Sequence, residues 1–438
     1  MPLLSAPADP STLLVSPTLR CLPNGLTIIA EQMPLEVVNL SLWLRVGSAH
    51  ESDAINGMAH FLEHMIFKGT ETLATGDFER LVEERGALTN AATSQDYTKY
   101  YITTAPKDFA DLAPWQIQLV MNPRLGEQDF ERERPVILEE IRRAGDNPQR
   151  RTYARSMEMA FERLPYRRPV LGPKEVIERL SVQQMREFHR TWYQPQNITA
   201  VAVGNLPVEE LIAIVAEGFE QAASPPGPQF NPHLGIWTEA SALALEPPFA
   251  EIQQAIHTDP TLTQARLTLT WRVPGLMHLE DTYGLDILAS ILGRGRTSRL
   301  VRDLREERKL VTSIGCSNLS LAQQGVFMVS AKLAPEHLEA VEQAIVGHIR
   351  TLIAEPVSPA ELKRVQTQVS NQFVFANETP SDRAGLYGFY HTLTGNIADG
   401  LDYPNRIQRV DINDLQQAAR QHLCPEAYGL VTIHPTAT

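Results

Sequence analysis

The sequence predicts an α+β chain made of two related α/β domains, and three observations carry that expectation. Segments recur in constant order at a slowly drifting offset. "LSLWLRV" (Leu40 to Val46) resembles "LTLTWRV" (Leu267 to Val273) at a shift of 227. "TTAPKDFADL" near Ala105 resembles "AKLAPEHLEAV" near Ala334 at 229, and "SVQQMREFHRTWYQP" ending at Pro195 resembles "DINDLQQAARQHLCP" ending at Pro425 at 230. A duplicated domain leaves that trace. Within each half, period-two strand patterns mix with helical ones. Between the halves, "AASPPGPQFNPH" holds four prolines and a glycine, which neither a helix nor a central strand tolerates. The expected division is therefore 1–221, a proline-rich linker over 222–245, and 246–438.

The elements follow in order. Leu40, Leu42, Leu44 and Val46 alternate as one face of a strand. "GMAHFLEHMIF" (Gly57 to Phe67) reads as an apolar helix interrupted by His60, Glu63 and His64. "TKYYITT" (Thr98 to Thr104) reads as a strand, and Asp108 to Met121 as an amphipathic helix. "FERERPVILEEIRR" (Phe130 to Arg143) is acidic and helical in its later part. Ser181 with Gln184, and Ser358 with Pro359 and Glu361, mark helix starts.

Composition narrows the function classes. The chain has 438 residues, 43% of them hydrophobic and 21% charged, so packed domains are expected rather than disorder. With 52 acidic against 39 basic residues, the formal charge of −13 argues against a nucleic-acid binder and is compatible with a basic partner or substrate. Cys21, Cys316 and Cys424 are few, odd in number and far apart, which implies a reducing compartment without a disulfide framework. No signal-peptide pattern and no apolar run of membrane-spanning length is evident, so the expected location is cytoplasmic.

The chemistry lies in His-x-x-Glu-His. Residues four apart share a helical face, so His60 and His64 project together and can bind one zinc ion, with Glu63 alongside to hold and deprotonate a water. The order inverts His-Glu-x-x-His and is a known metallopeptidase pattern. By chance it arises in about two chains in a hundred of this composition. A pair of satisfied core histidines is the plainer alternative, but burying three polar groups without a partner costs several kcal/mol. A catalytic zinc needs a third ligand. Glu131, Glu133, Glu139 and Glu140 all lie on the acidic helix, and spacing alone does not choose among them, although Glu133 and Glu140, seven apart, share a face.

The chain resembles the inverted-motif zinc peptidases of the pitrilysin, insulin-degrading enzyme and mitochondrial processing peptidase superfamily, above all their half-length bacterial and organellar members. "GMAHFLEHMIFKGT", "NAATSQDYTKYY", "ERPVILEEI", "YRRPVLG" and "YQPQNITAVAVGN" follow in the family's order, covering essentially the whole chain. The resemblance implies two sandwich domains of the processing-peptidase type, with helices on the faces of an antiparallel or mixed sheet. It implies zinc on His60, His64 and Glu140, with Glu63 as general base. Glu133 becomes the carboxylate behind a ligand, and Glu139 is the neighbour most easily confused with Glu140. Pro135, where many relatives are polar, is a departure that bears on Glu133. "LTNAATSQDYTKYY" looks like the family's edge strand, where a peptide adds as a further strand against Asn90, Ala91 and Ala92.

In the repeat, His60, Glu63 and His64 fall on Ile287, Ser290 and Ile291, so no second site of this type is expected. The resemblance makes that half the inactive wall of a chamber. Arg383 and Tyr390, in "RAGLYGFY", are its expected donors to the substrate carbonyl, with Tyr387 as a rival to Tyr390 and a surface arginine beside a packed tyrosine as the plainer alternative. His50 reads as a loop residue, and "GRGRTSRL" as a turn. The implied function is a zinc endopeptidase acting on peptides or unfolded segments, as a homodimer or with a related subunit. Alternatives are a non-catalytic scaffold subunit, and an S-ribosylhomocysteine lyase type, which is disfavoured by the length and by the lack of a cysteine near the motif.

Overall fold

The computed structural model of the chain describes residues 16–222 and 244–436. Most of the expected linker falls in 223–243, outside the described residues.

β-Branched and aromatic runs form two mixed sheets with helices packed on them. The first has six strands in the order β1 (Thr18–Cys21), β2 (Thr27–Gln32), β6 (Ile198–Gly204), β3 (Val38–Leu44), β5 (Thr98–Thr104), β4 (Leu88–Thr93). The second runs β7 (Gln253–Asp259), β11 (Gly429–Pro435), β8 (Ala265–Pro274), β10 (Gln324–Leu333), β9 (Val311–Leu319). In each sheet one pair is parallel, β2 with β6 and β7 with β11, and the remaining pairs are antiparallel. The five strands from β2 onward therefore repeat as β7 to β11 in order and sense. Their starts, 27 against 253 and 198 against 429, show the offset drifting from 226 to 231.

Five helices of the first half matter below: α1 (Met58–Ile66), α2 (Asp77–Glu84), α3 (Pro106–Met121), α4 (Glu127–Asp146) and α5 (Pro148–Ala160). From the second half come α6 (Thr282–Gly293) and α7 (Pro380–Thr394). The compact units of the chain differ from the sequence halves 1–221 and 246–438. One unit gathers the stretch through Glu139, the stretch beginning at Val170, and Gln372–Asn405; the other takes Glu140–Pro169, the stretch ending at Asn371, and the C-terminal stretch from Arg406. In the first unit, α7 packs on β3 and β6. In the second, α5 packs on the corresponding β8 and β11. Each sheet thus carries a helix contributed by the other half of the sequence.

The faces of the first sheet follow from register. Leu42 pairs with Tyr100 and Ala200, whereas Trp43 pairs with Lys99 and Thr199. Ile29, Trp43, Val201 and Val203 form one buried cluster with Ala384 and Tyr387 of α7. The Leu42 face is the one toward α1, since Phe67 at the end of α1 packs on Tyr100 at 6.1 Å between ring centroids. So α1 and α7 lie on opposite faces of this sheet. No helix among the described residues is long and apolar enough to cross a membrane.

Candidate metal and peptide site

The apolar letters of α1 anchor it. Met58, Ala59, Phe61, Leu62, Met65 and Ile66 are buried, and Phe61 stacks on Phe130 of α4 at 4.5 Å. The helix begins at Gly57, which has φ 97°; a side chain there would meet Leu171 O at 2.7 Å and Gly172 Cα at 2.9 Å. Glu51, 4% exposed, caps this start. Its carboxylate accepts the Gly57 and Ala59 N–H groups at 2.8 and 2.7 Å and the Asn56 side-chain amide at 2.8 Å. An anion there satisfies orphan N–H donors and opposes the positive end of the helix dipole.

Among the described residues, one group of His, Cys, Asp or Glu side chains converges so that it could hold a metal ion: His60, His64 and Glu140, whose ligand atoms lie within 4.8 Å of one another. Two imidazoles and a carboxylate are a donor set for catalytic zinc, which keeps a further position open. The histidine rings lie 4.8 Å apart. Burial, followed by the nearby charge of His64, pushes the pKa of His60 down to about 3, so its imidazole is neutral and in ligating form at any ordinary pH. The residues present fit the ion.

Glu133 stands behind His64. Its carboxylate lies 3.0 Å from His64 Nδ1 and 2.6 Å from Lys68 Nζ. Burial would raise its pKa, but hydrogen bonds from His64 and Lys68 and the Lys68 charge outweigh that and hold it below the usual range. A carboxylate on one ring nitrogen fixes the tautomer and leaves the other nitrogen for a metal. The seven-residue spacing does this: α4 runs unbroken through Pro135, and Glu133 and Glu140 both face His64. Glu139 is outside the group.

Glu63 accepts a 2.5 Å hydrogen bond from Thr93 Oγ1, which ties α1 to β4. Beneath it Tyr100 and Tyr193, both fully buried, share a 2.9 Å hydroxyl contact. β4 is an edge strand and carries Asn90, Ala91 and Ala92. Ala91 and Thr93 share the face toward α1, while Asn90 and Ala92 pair with Tyr101 and Lys99 on the other face. The Ala91 N–H is held locally by Asn90 Oδ1 at 2.8 Å.

Within the chain, Arg383 and Tyr390 lie apart from this group. Their spacing does place them on one helix, but α7 lies across the sheet from α1. Arg383 is 7% exposed, and its guanidinium bonds Glu31 at 3.2 Å, the Asn377 carbonyl at 3.2 Å and the Tyr387 hydroxyl at 3.3 Å. Tyr387, the rival to Tyr390, donates to Glu31 at 2.7 Å. Tyr390 packs against Phe389 at 5.4 Å and Gly400. In the repeat, Ile287, Ser290 and Ile291 are buried in α6, without ligands. His50 sits in a short 3₁₀ turn with its ring edge-on to Trp192.

Sequence reasoning missed Glu51, Lys68 and Thr93. Lys68 follows His64 by four residues, a spacing that was available as a signal. Glu51 and Thr93 act across loops and strands, where spacing carries none.

Comparison with known proteins agrees with this picture. Residues 27–174 match the family model "Insulinase (Peptidase family M16)", and 179–369 match "Peptidase M16 inactive domain". The chain is 28% identical over 408 residues to the zinc protease PqqE of Helicobacter pylori, covering 92% of this chain and 89% of that one. A crystal structure of a protease from Helicobacter pylori superposes with a TM-score of 0.87 at 25% identity, covering 96% of this chain and 99% of that one. The periplasmic protease PqqL of Escherichia coli shares the fold, with a TM-score of 0.78 at 18% identity; the match covers 95% of this chain and 47% of PqqL. With both domain models matched in order along most of its length, the chain belongs to peptidase family M16.

Proposed function

We propose that the chain is a zinc-dependent endopeptidase that cleaves peptides or unfolded segments. The observation that carries this reading is the convergence of His60, His64 and Glu140, with Glu63 on the same helix, beside an open sheet edge. Zinc supplies Lewis acidity, lowering the pKa of a water and polarising a carbonyl. His60, His64 and Glu140 would hold the ion, and Glu133 with Lys68 would keep His64 in the ligating tautomer. Glu63, oriented by Thr93, takes a proton from the attacking water and delivers it to the leaving amine. The substrate backbone pairs with β4, and the small side chains of Ala91 and Ala92 admit it closely. Arg383 is paired with Glu31 within the chain and is assigned no part in this step.

Zinc-protease names among the relatives support this reading. Because the match covers about half of PqqL, two copies of this chain would supply a full-length complement, and we assign a homodimer enclosing a chamber. The test is incubation of the metal-loaded protein with a mixed peptide library, with and without chelator. Cleavage should stop with chelator and fall about a thousandfold or more in Glu63→Gln, which should retain stoichiometric zinc. A fully active Glu63→Gln protein would overturn the assignment.

A further inference from the structure

The sheet face opposite α1 is only partly covered. Helix α7 packs on β3 and β6, and beyond it Leu88, Asn90 and Ala92 of β4 and Lys99 and Tyr101 of β5 form an open ledge. Leu88 is 69% exposed, Asn90 is exposed, and Lys99 and Tyr101 are half-buried. Lys99 is the unusual member. Its ammonium sits 5.0 Å from the Trp43 ring centroid and 5.6 Å from that of Tyr101, and no carboxylate among the described residues pairs with it. Burial lowers its pKa, and no neighbouring charge offsets this. A partly desolvated cation held only by ring faces gains more from a carboxylate than from water.

We propose that Lys99 is a specificity-determining residue that receives a glutamate side chain of the substrate, at the position beside Ala92 that points away from the metal group. This rests on the strand-addition reading above. Side chains of an added strand alternate between the two faces, so every second one lies on this ledge. Lys99 is the register partner of Ala92 and lies two strand spacings, about 10 Å, from the added strand. Turned from the Trp43 ring of β3 toward Ala92, an extended lysine and an extended glutamate side chain together span that gap. The residue between them must be small, and Ala92 is. An aspartate is shorter and reaches less well. The preference is local and runs against the chain's overall acidity, so it selects a single position rather than acidic peptides in general.

The test uses fluorescently labelled ten-residue peptides that carry Glu, Asp, Gln or Lys at each position in turn. Binding to the zinc-loaded Glu63→Gln protein is followed by anisotropy, and cleavage by the wild-type protein is measured in parallel. One register should show Glu bound about fivefold more tightly than Gln, with Asp between them, and the ratio should shrink in high salt. Adding Lys99→Arg should keep the ratio, Lys99→Met should bring it to about one, and Lys99→Glu should favour the Lys peptide. Equal binding of Glu and Gln peptides, a preference that survives in Lys99→Met, or no peptide binding at all overturns the proposal. A Lys99-dependent preference in binding without any cleavage by the wild type would uphold it and overturn the peptidase reading instead.

Discussion

Two buried carboxylates with basic partners do different work at the residue scale. Glu133 touches His64 and Lys68, so its effect passes through a ligand. Glu133→Gln keeps the shape but removes the charge that fixes the imidazole; zinc affinity should fall about 10- to 100-fold, read by competition with a chromophoric chelator, while the unfolding midpoint of the metal-free protein changes little. Glu31 is paired with Arg383, at side-chain exposures of 5% and 8%. Burial pushes the Glu31 carboxyl above its usual range despite the Tyr387 hydrogen bond and the Arg383 charge, so an uncompensated carboxylate there is costly. Arg383→Met should cost about 3–5 kcal/mol in urea unfolding, and Glu31→Met added to it should recover most of that. A catalytic Arg383 would behave otherwise: turnover per folded molecule would fall by orders of magnitude, and the second substitution would not restore it. Resemblance singled out Arg383 and Tyr390, and their seven-residue spacing does put both on one helix. What spacing could not show is which side of the sheet that helix meets.

Helix α1 shows how an element becomes a site. Its apolar residues set its depth, and Gly57 sets the turn that starts it. Glu51 fixes its first N–H groups, and Thr93 ties Glu63 to β4. Glu51→Ala leaves buried donors at Gly57 and Ala59 without their acceptor and should cost about 1–3 kcal/mol. Glu51→Gln retains an amide oxygen and should cost less. Urea unfolding of both variants, each compared with the wild type at equal zinc, decides this; equal losses would mean that charge against the helix dipole, rather than the hydrogen bonds, holds the helix. The metal motif was legible in the sequence because it uses only the helical repeat. Glu140 was legible by resemblance, since spacing left it among several acids on one helix. Glu51 and Thr93 were not legible, because a loop and a strand bring them in by tertiary packing alone.

At the scale of the molecule, the duplication was readable from drifting offsets, and the two sheets repeat strand for strand. The exchange of helices was not readable, because α5 and α7 occupy corresponding places in the repeats and nothing in their sequence says which sheet they cover. That exchange has a consequence for folding. A fragment ending within 222–245 contains β1 to β6 but lacks α7. It would expose Ile29, Trp43, Val201 and Val203, all at most 2% exposed in the intact chain. It would also uncover Glu31, which lies on the same face and is bonded by Arg383 and Tyr387 of the missing helix. The contact is close: a side chain at Gly388 would stand 2.0 Å from Trp43 Nε1, so α7 lies directly on the tryptophan. An apolar face of that kind drives association or binds hydrophobic dyes. The N-terminal fragment expressed alone should therefore bind such a dye strongly and aggregate, and so should the C-terminal fragment, which lacks α5. Co-expressed, each supplies the other's missing helix, and the pair should co-purify as a one-to-one complex with dye binding near that of the intact protein. Fragments that fold separately as dye-silent monomers would show that each sheet can do without the helix from the other half.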